Sequence, residues 1–229
     1  MRVSHLLPMA ALATLAFTFG PAIHAATITA GTTTQVANGG TAPGSASNYV
    51  FFGNNGQPSN LTNFTVATGS DAQFPGNGAY TSVIAPGGSS AFRTGIAYDS
   101  SCPCNQTSVL ATFNSATLAD FAVYILDANT DGNNVGNASV GLGVNGGAAV
   151  SMSTVYSGSN EFTEFLITGA TSEDTFQVYA TGGGRADFPS ISGLTFVASV
   201  APVPEPASLA LLGTGLVGGL GILRRKFKA

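Results

Sequence analysis

Asp127, Asn129 and Asp131 stand at alternate positions and are followed by Gly132. Oxygen side chains at this spacing, D-x-[DN]-x-[DN]-G, form the first half of a loop that turns carboxylate and amide oxygens onto a calcium ion. The twelfth position of such a loop is Ala138 and not the bidentate Glu of an EF-hand, and no helical pattern flanks it. Two readings stay open. One is a polar hairpin between two strands, since Asp-Gly and Asn-Asn favour turns. The other is a β-sandwich calcium site at Asp127, Asn129 and Asp131, completed by carboxylates from elsewhere. In an extracellular setting even a weak site, with an affinity in the roughly millimolar range, would fill.

Cys102-Pro103-Cys104 is the second constellation. A bridge from i to i+2 across proline closes a small, strained ring, and strained disulfides reduce easily. The pair therefore reads as a local disulfide stapling one loop, or as two thiols held for a partner molecule, the staple being preferred. The carboxylates Glu161 and Glu164 flank a strand start, and Glu173-Asp174 sits in a turn. Glycoside hydrolysis needs two carboxyls facing each other at about 5 to 10 Å. Nothing in the spacing sets up such a pair, so these groups are expected to be solvated edge charges.

Missing residue types exclude more than the present ones establish. His5 and His24 lie in the first 24 residues, and Lys226 and Lys228 in the last four. Between them there is no His, no Lys and no Trp. That removes Ser-His-Asp and Cys-His nucleophilic sites, His-ligated zinc and a lysine Schiff base. A non-catalytic protein is expected, with no cofactor apart from the calcium just described. Arg93 and Arg185 are the only cations of residues 26–201 and are expected to be ion-pair partners. Exposed aromatics for sugar contact would come from Tyr80, Tyr98, Tyr156 or Tyr179, most of them expected in the core or at sheet edges.

The elements that must position these groups are short. Turn signals such as Asn38-Gly39-Gly40, Pro86-Gly87-Gly88, Asn145-Gly146-Gly147 and Gly182-Gly183-Gly184 recur at short intervals. Between them lie runs rich in Val, Ile, Thr, Phe and Tyr, with no sustained helical period, which is an all-β pattern. Strands are predicted at Tyr49–Phe52, around Phe64 and Val66, from Phe92 to Tyr98, at Val109–Phe113, Phe121–Leu126, Val140–Val144, Val150–Tyr156, Phe162–Thr168, Phe176–Ala180 and around Leu194 and Phe196. Phe121–Leu126 is apolar at nearly every position and so predicts a central strand. About ten strands in residues 26–200 predict a two-sheet β-sandwich of jelly-roll type.

Both ends of the 229-residue chain read as export devices. Arg2, the apolar run Leu6–Phe19 and the small residue Ala25 predict a signal peptide over residues 1–25, cut after Ala25 by signal peptidase. At the other end, Val203-Pro204-Glu205-Pro206 precedes seventeen uncharged residues, Ala207–Leu223, and then Arg224-Arg225-Lys226-Phe227-Lys228-Ala229. As a helix the uncharged run would be about 25 Å long, near the low end for a single transmembrane span. The basic stub holds that end in the cytoplasm, and the prolines set the helix start. Apart from these ends the chain carries ten carboxylates against two arginines, although its overall charge is only −4. So acidic a body is no partner for nucleic acid.

The string VPEPASLALLGTGLVGGLGILRRKFKA resembles the PEP-CTERM sorting signal of exported bacterial proteins, with Pro-Glu-Pro, a transmembrane helix and a basic terminus in that order. The resemblance covers residues 201–229. It implies recognition in the inner membrane by an exosortase-type processing enzyme, which cuts near Pro204, Glu205 and Pro206. It also implies delivery to the cell surface or to the extracellular polysaccharide matrix of a Gram-negative bacterium, with a role in biofilm. A lectin-like module binding that polysaccharide, with calcium's help, is the alternative for the body.

Overall fold

The computed structural model describes residues 26–52, 59–69, 72–73, 81–94, 97–99, 107–127, 135–154, 160–184 and 189–198. All regular structure in them is β, and no described segment is helical. The strands are β1 (Thr27–Val36), β2 (Asn48–Phe51), β3 (Ser59–Leu61), β4 (Phe64–Thr68), β5 (Ala72–Gln73), β6 (Thr81–Ile84), β7 (Ala91–Thr94) and β8 (Ala97–Asp99). They continue with β9 (Thr107–Ser115), β10 (Phe121–Asp127), β11 (Val135–Val144), β12 (Val150–Ser153), β13 (Asn160–Thr168), β14 (Phe176–Gly184), β15 (Ser190–Ile191) and β16 (Gly193–Ala198).

Two antiparallel sheets carry the architecture. One has six strands in the order β1-β13-β10-β16-β2-β3, the other five in the order β12-β11-β14-β9-β4. A three-stranded sheet, β15-β8-β5, and the hairpin β6-β7 complete the described set. The side chains of β10 alternate as the pleat requires. Phe121, Val123 and Ile125 join one core cluster with Phe64, Phe113 and Phe176 of the opposite sheet. The two large sheets therefore bury one face each against a shared core, the arrangement of a sandwich.

Aromatic rings fill the centre of that core. Phe64 stacks on Phe196 with centroids 4.0 Å apart, and Phe113 stacks on Phe176 at 5.0 Å. Phe121 meets Phe64 edge-on at 5.0 Å. Each stacked pair favours the fold beyond its buried area by about 0.5–1.5 kcal/mol, and the first of them joins β4 of one sheet to β16 of the other.

β10 is apolar on both sides because both sides are covered. Leu126 and Phe162, on the face turned away from the sandwich, belong to a second cluster with Phe51, Val83, Ala85 and Ala42. The hairpin β6-β7 and the segment before β2 form that cover. Ala42 N–H donates to Ile84 at 2.9 Å and Ile84 N–H to Gly40 at 2.8 Å, so residues 40–42 run along β6. Asn160 pins the same strap by donating to the carbonyls of Ala37 and Ser82.

Several expectations change in detail. The predicted strand from Phe92 to Tyr98 is two strands, β7 and β8, in different sheets. The hairpin reading of the Asp127 segment fails, because β10 and β11 belong to different sheets. β1, β6 and the short β3, β5 and β15 went unpredicted. The end of the predicted Val150–Tyr156 strand reaches beyond the described residues, and β12 itself stops at Ser153. Residues 1–25 and 199–229, where the signal peptide and the transmembrane helix are expected, lie outside the described residues. Among the described ones no helix is long and apolar enough to cross a membrane.

Candidate functional site

The pleat decides where the acidic side chains go. In the β10–β13 ladder Asp127 stands opposite Glu161, Ile125 opposite Thr163 and Val123 opposite Phe165. Since Val123, Ile125 and Phe165 face the shared core, Asp127 and Glu161 point to the same interior side. Both are fully buried, with relative exposures of 0%. Directly opposed residues have Cβ atoms about 4.5–5.5 Å apart. Two charges at roughly 5 Å repel by about 3 kcal/mol at an effective dielectric of about 20. Burial of both carboxylates therefore demands compensation, and each makes further interactions in the structure.

Polar groups gather around the pair. Thr163 is fully buried, and its Oγ1 has no hydrogen-bond partner among the described residues. The same holds for Ser192 Oγ, whose backbone N–H donates to Leu126, the neighbour of Asp127, at 2.8 Å. Glu161 is thus no solvated edge charge, contrary to its sequence reading. The signal that was missed is its register: only the pairing of β13 with β10 brings residues 34 positions apart face to face. Among the described residues no group of three or more His, Cys, Asp or Glu could hold a metal. Any cation here would take oxygens of mixed kind.

The remaining carboxylates are structural to different degrees. Asp174 is buried as well, again against expectation. Its Oδ2 accepts from Thr171 N–H at 2.8 Å and from Thr171 Oγ1 at 3.0 Å, and its Oδ1 accepts from Asn145 Nδ2 at 2.7 Å. Asn145 in turn accepts from Thr175 N–H at 2.8 Å. One carboxylate so locks the β11–β12 turn to the start of β14. Glu164 lies on the outer face of the six-stranded sheet, half-buried, and accepts from Tyr124 Oη at 2.7 Å. Thr32 donates to its other oxygen from both N–H and Oγ1. Burial first, then the hydrogen bond to Glu164 and its negative charge, push the Tyr124 phenol up to about 12.

Of the candidate sugar-contacting tyrosines, Tyr179 is described with its side chain. Its neighbours Val178 and Ala180 are buried in the shared core, so Tyr179 faces outward. It is half-buried and pairs with Gly141 and Val109. Its ring lies over the adjoining strand: a Cβ on Gly143 would come within 3.0 Å of Tyr179 Cε2. Val109 beside it is 40% exposed. Tyr98 lies in β8, opposite Ser190 and Gln73, and Arg93 in β7, opposite Ser82. Tyr80, Tyr156, Arg185, Asn129, Asp131, Cys102, Cys104, Ala25 and the tail residues Pro204, Glu205, Pro206, Arg224, Arg225, Lys226 and Lys228 lie outside the described residues.

Comparison with known proteins speaks to the tail. The family model for the PEP-CTERM protein-sorting motif matches residues 202–226. No curated protein matches the chain, and no solved structure matches it. The matched residues hold Pro204-Glu205-Pro206, the uncharged span and the start of the basic stub, the three parts on which the resemblance rests. The chain therefore carries a PEP-CTERM sorting motif at residues 202–226, the signal of exported substrates of an exosortase-type enzyme.

Proposed function

We propose that the body is a non-catalytic component of the cell surface or of the extracellular polysaccharide matrix of a Gram-negative bacterium, and that the tail exists to deliver it there. The observation that carries this reading is the sorting motif at residues 202–226. The body's composition supports it. Residues 26–201 hold no His or Lys, and the opposed carboxylates Asp127 and Glu161 lie inside the sandwich and not across an open cleft. Successive strands alternate between the two sheets, from β9 to β10 to β11 and from β12 to β13 to β14, which supports a jelly-roll type of sandwich. Signal peptidase and the general export machinery act at Ala25, and the inner membrane holds the chain until the tail is cut.

Cell fractionation tests the delivery. In cells with an active exosortase the protein is expected in the matrix and surface fractions, and in cells lacking the enzyme it is expected in the inner membrane. Equal surface recovery from both would remove the reading.

A second reading, a lectin-like module, is favoured by Tyr179 lying over a glycine on an outward sheet face. Aromatic plates of this kind contact sugar rings within otherwise polar surfaces. Calcium at Asp127, Asn129 and Asp131 would assist it. Retention of the protein on matrix polysaccharide from the same cells, lost in Tyr179→Ala and measured with and without chelator, would support this alternative. Wild type passing through unretained would end it.

A further inference from the structure

The five strands of the sheet β12-β11-β14-β9-β4 hold no Asp, Glu, Lys or Arg, although the chain has eleven carboxylates and seven basic residues. Pairing sets a row across four of these strands, with Ser151 opposite Gly141, Gly141 opposite Tyr179 and Tyr179 opposite Val109. Val140, Leu142, Val178 and Ala180 point into the shared core, so Gly141 and Tyr179 between them face out. Ser151 and Val109 are exposed. Three gaps between strands of about 4.8 Å make the row about 14 Å wide. Tyr179 leans across β11 above Gly143, which has no side chain to lift it, and the ring stays half-buried beside Val109. Hydroxyls and amides border the ring. One pleat along, Thr107 and Thr181 share a hydroxyl bond of 3.2 Å. One pleat the other way, Gln177 accepts from Gly146 N–H at 3.1 Å, and its amide also carries donors.

We propose that this outward face, centred on Tyr179 and Val109, binds an uncharged polysaccharide chain and does so without a metal. The inference rests on the lectin-like reading, names its ligand class and dispenses with its calcium. The face of an aromatic ring is the negative side of its quadrupole, and the C–H groups of a sugar ring laid on it meet that side. Hydroxyl and amide groups both donate and accept, which matches the hydroxyls around a sugar. A uronate or sulfate would find no cation on these strands. The chain's net charge of −4 would also hold an anionic polymer off. A neutral polyhydroxyl chain meets neither obstacle, and the apolar pair Tyr179 and Val109 gives it a place to exclude water.

Affinity electrophoresis of the full chain in detergent, through native gels containing hydroxyethyl cellulose, galactomannan, dextran or alginate, tests the proposal. Retardation is expected with at least one of the three uncharged polymers and not with alginate. It should survive chelator, and also salt of about 1 M, where charges are screened within about 3 Å. Tyr179→Ala should weaken binding at least tenfold. Val109→Ser should weaken it severalfold, which gives a second readout if the tyrosine variant fails to fold. Leu166→Ser, at an exposed position on the outer face of the other large sheet, should bind as wild type does. The proposal is overturned if folded wild type is retarded by none of the uncharged polymers. It is equally overturned if Tyr179→Ala and Val109→Ser bind as wild type, or if chelator abolishes retardation. Retardation by alginate alone, lost in chelator, would strike this site and leave a calcium-assisted lectin-like reading standing. Self-association that Tyr179→Ala removes, with no retardation by any polymer, would make the face a contact between copies and overturn the proposal. Failure to bind the matrix polysaccharide of the same cells as well would end both readings.

Discussion

Tyr124 and Glu164 show how burial and one contact together set a titration. The phenol donates to the carboxylate at 2.7 Å, and burial, that bond and the negative charge together push it up to about 12 from 10.0. The neutral phenol is the form the folded state prefers. Its contribution to stability is therefore complete below about pH 10 and is lost as the pH rises toward about 12. Ultraviolet titration should show one tyrosine ionising near pH 12. In Glu164→Gln that step should move down toward 10, because the anion is gone while burial remains. An unmoved step would mean that Glu164 does not control it. In the core, Phe113 touches Phe64, Phe121, Phe176 and Phe196. Phe113→Ala should cost about 3–5 kcal/mol by denaturant unfolding, and a loss under about 1 kcal/mol would show that the ring cluster does not hold the sheets together. Residues of this sort were legible from sequence, since period-2 alternation marks an inward phenylalanine directly. Glu161 was not. Alternation tells which side chains of one strand share a face, but not which strand lies alongside or what covers it.

At the scale of elements the turn chemistry was the most readable signal. Asn145 has φ of 52° and Gly146 of 73°, the two positive values of a type I′ turn, and Gly147 N–H closes it onto Val144 at 2.9 Å. Gly146→Ala places a Cβ in the left-handed region and should lower stability by about 1–2 kcal/mol, measured as a fall in the midpoint of urea unfolding. Asn145→Gly should keep the turn but lose the bonds to Asp174 and Thr175. Gly193 is required for a different reason. A Cβ there would meet Phe51 Cδ1 at 2.5 Å and Val50 O at 2.7 Å, so β16 can approach β2 only without a side chain. β1 escaped prediction because TITAGTTTQV barely alternates. As an edge strand with a register shift between Ala30 and Thr33, it leaves most of its side chains in water. The hairpin reading of the Asp127 segment, one of two left open, failed because turn residues announce a reversal of the chain, not whether the next strand returns to the same sheet.

For the whole molecule, charge and composition separate two parts with different tasks. The acidic, lysine-free sandwich holds its rings and its buried carboxylates between two sheets. The last 29 residues carry four of the seven basic residues and the sorting motif. The tail was legible because three features of different kind coincide in order: proline punctuation, an uncharged span and terminal positive charge. The sandwich class was legible from the spacing of turns, whereas the order of strands within each sheet was not, since it depends on contacts far apart in the chain. The most direct measurement of the account is the mass of the C-terminal peptide of the exported protein, taken from cells with an active exosortase. The account predicts an end at or near Pro204-Glu205-Pro206, and the full-length end in cells lacking the enzyme. An exported protein that still ends in Lys228-Ala229 while the enzyme is active would contradict it.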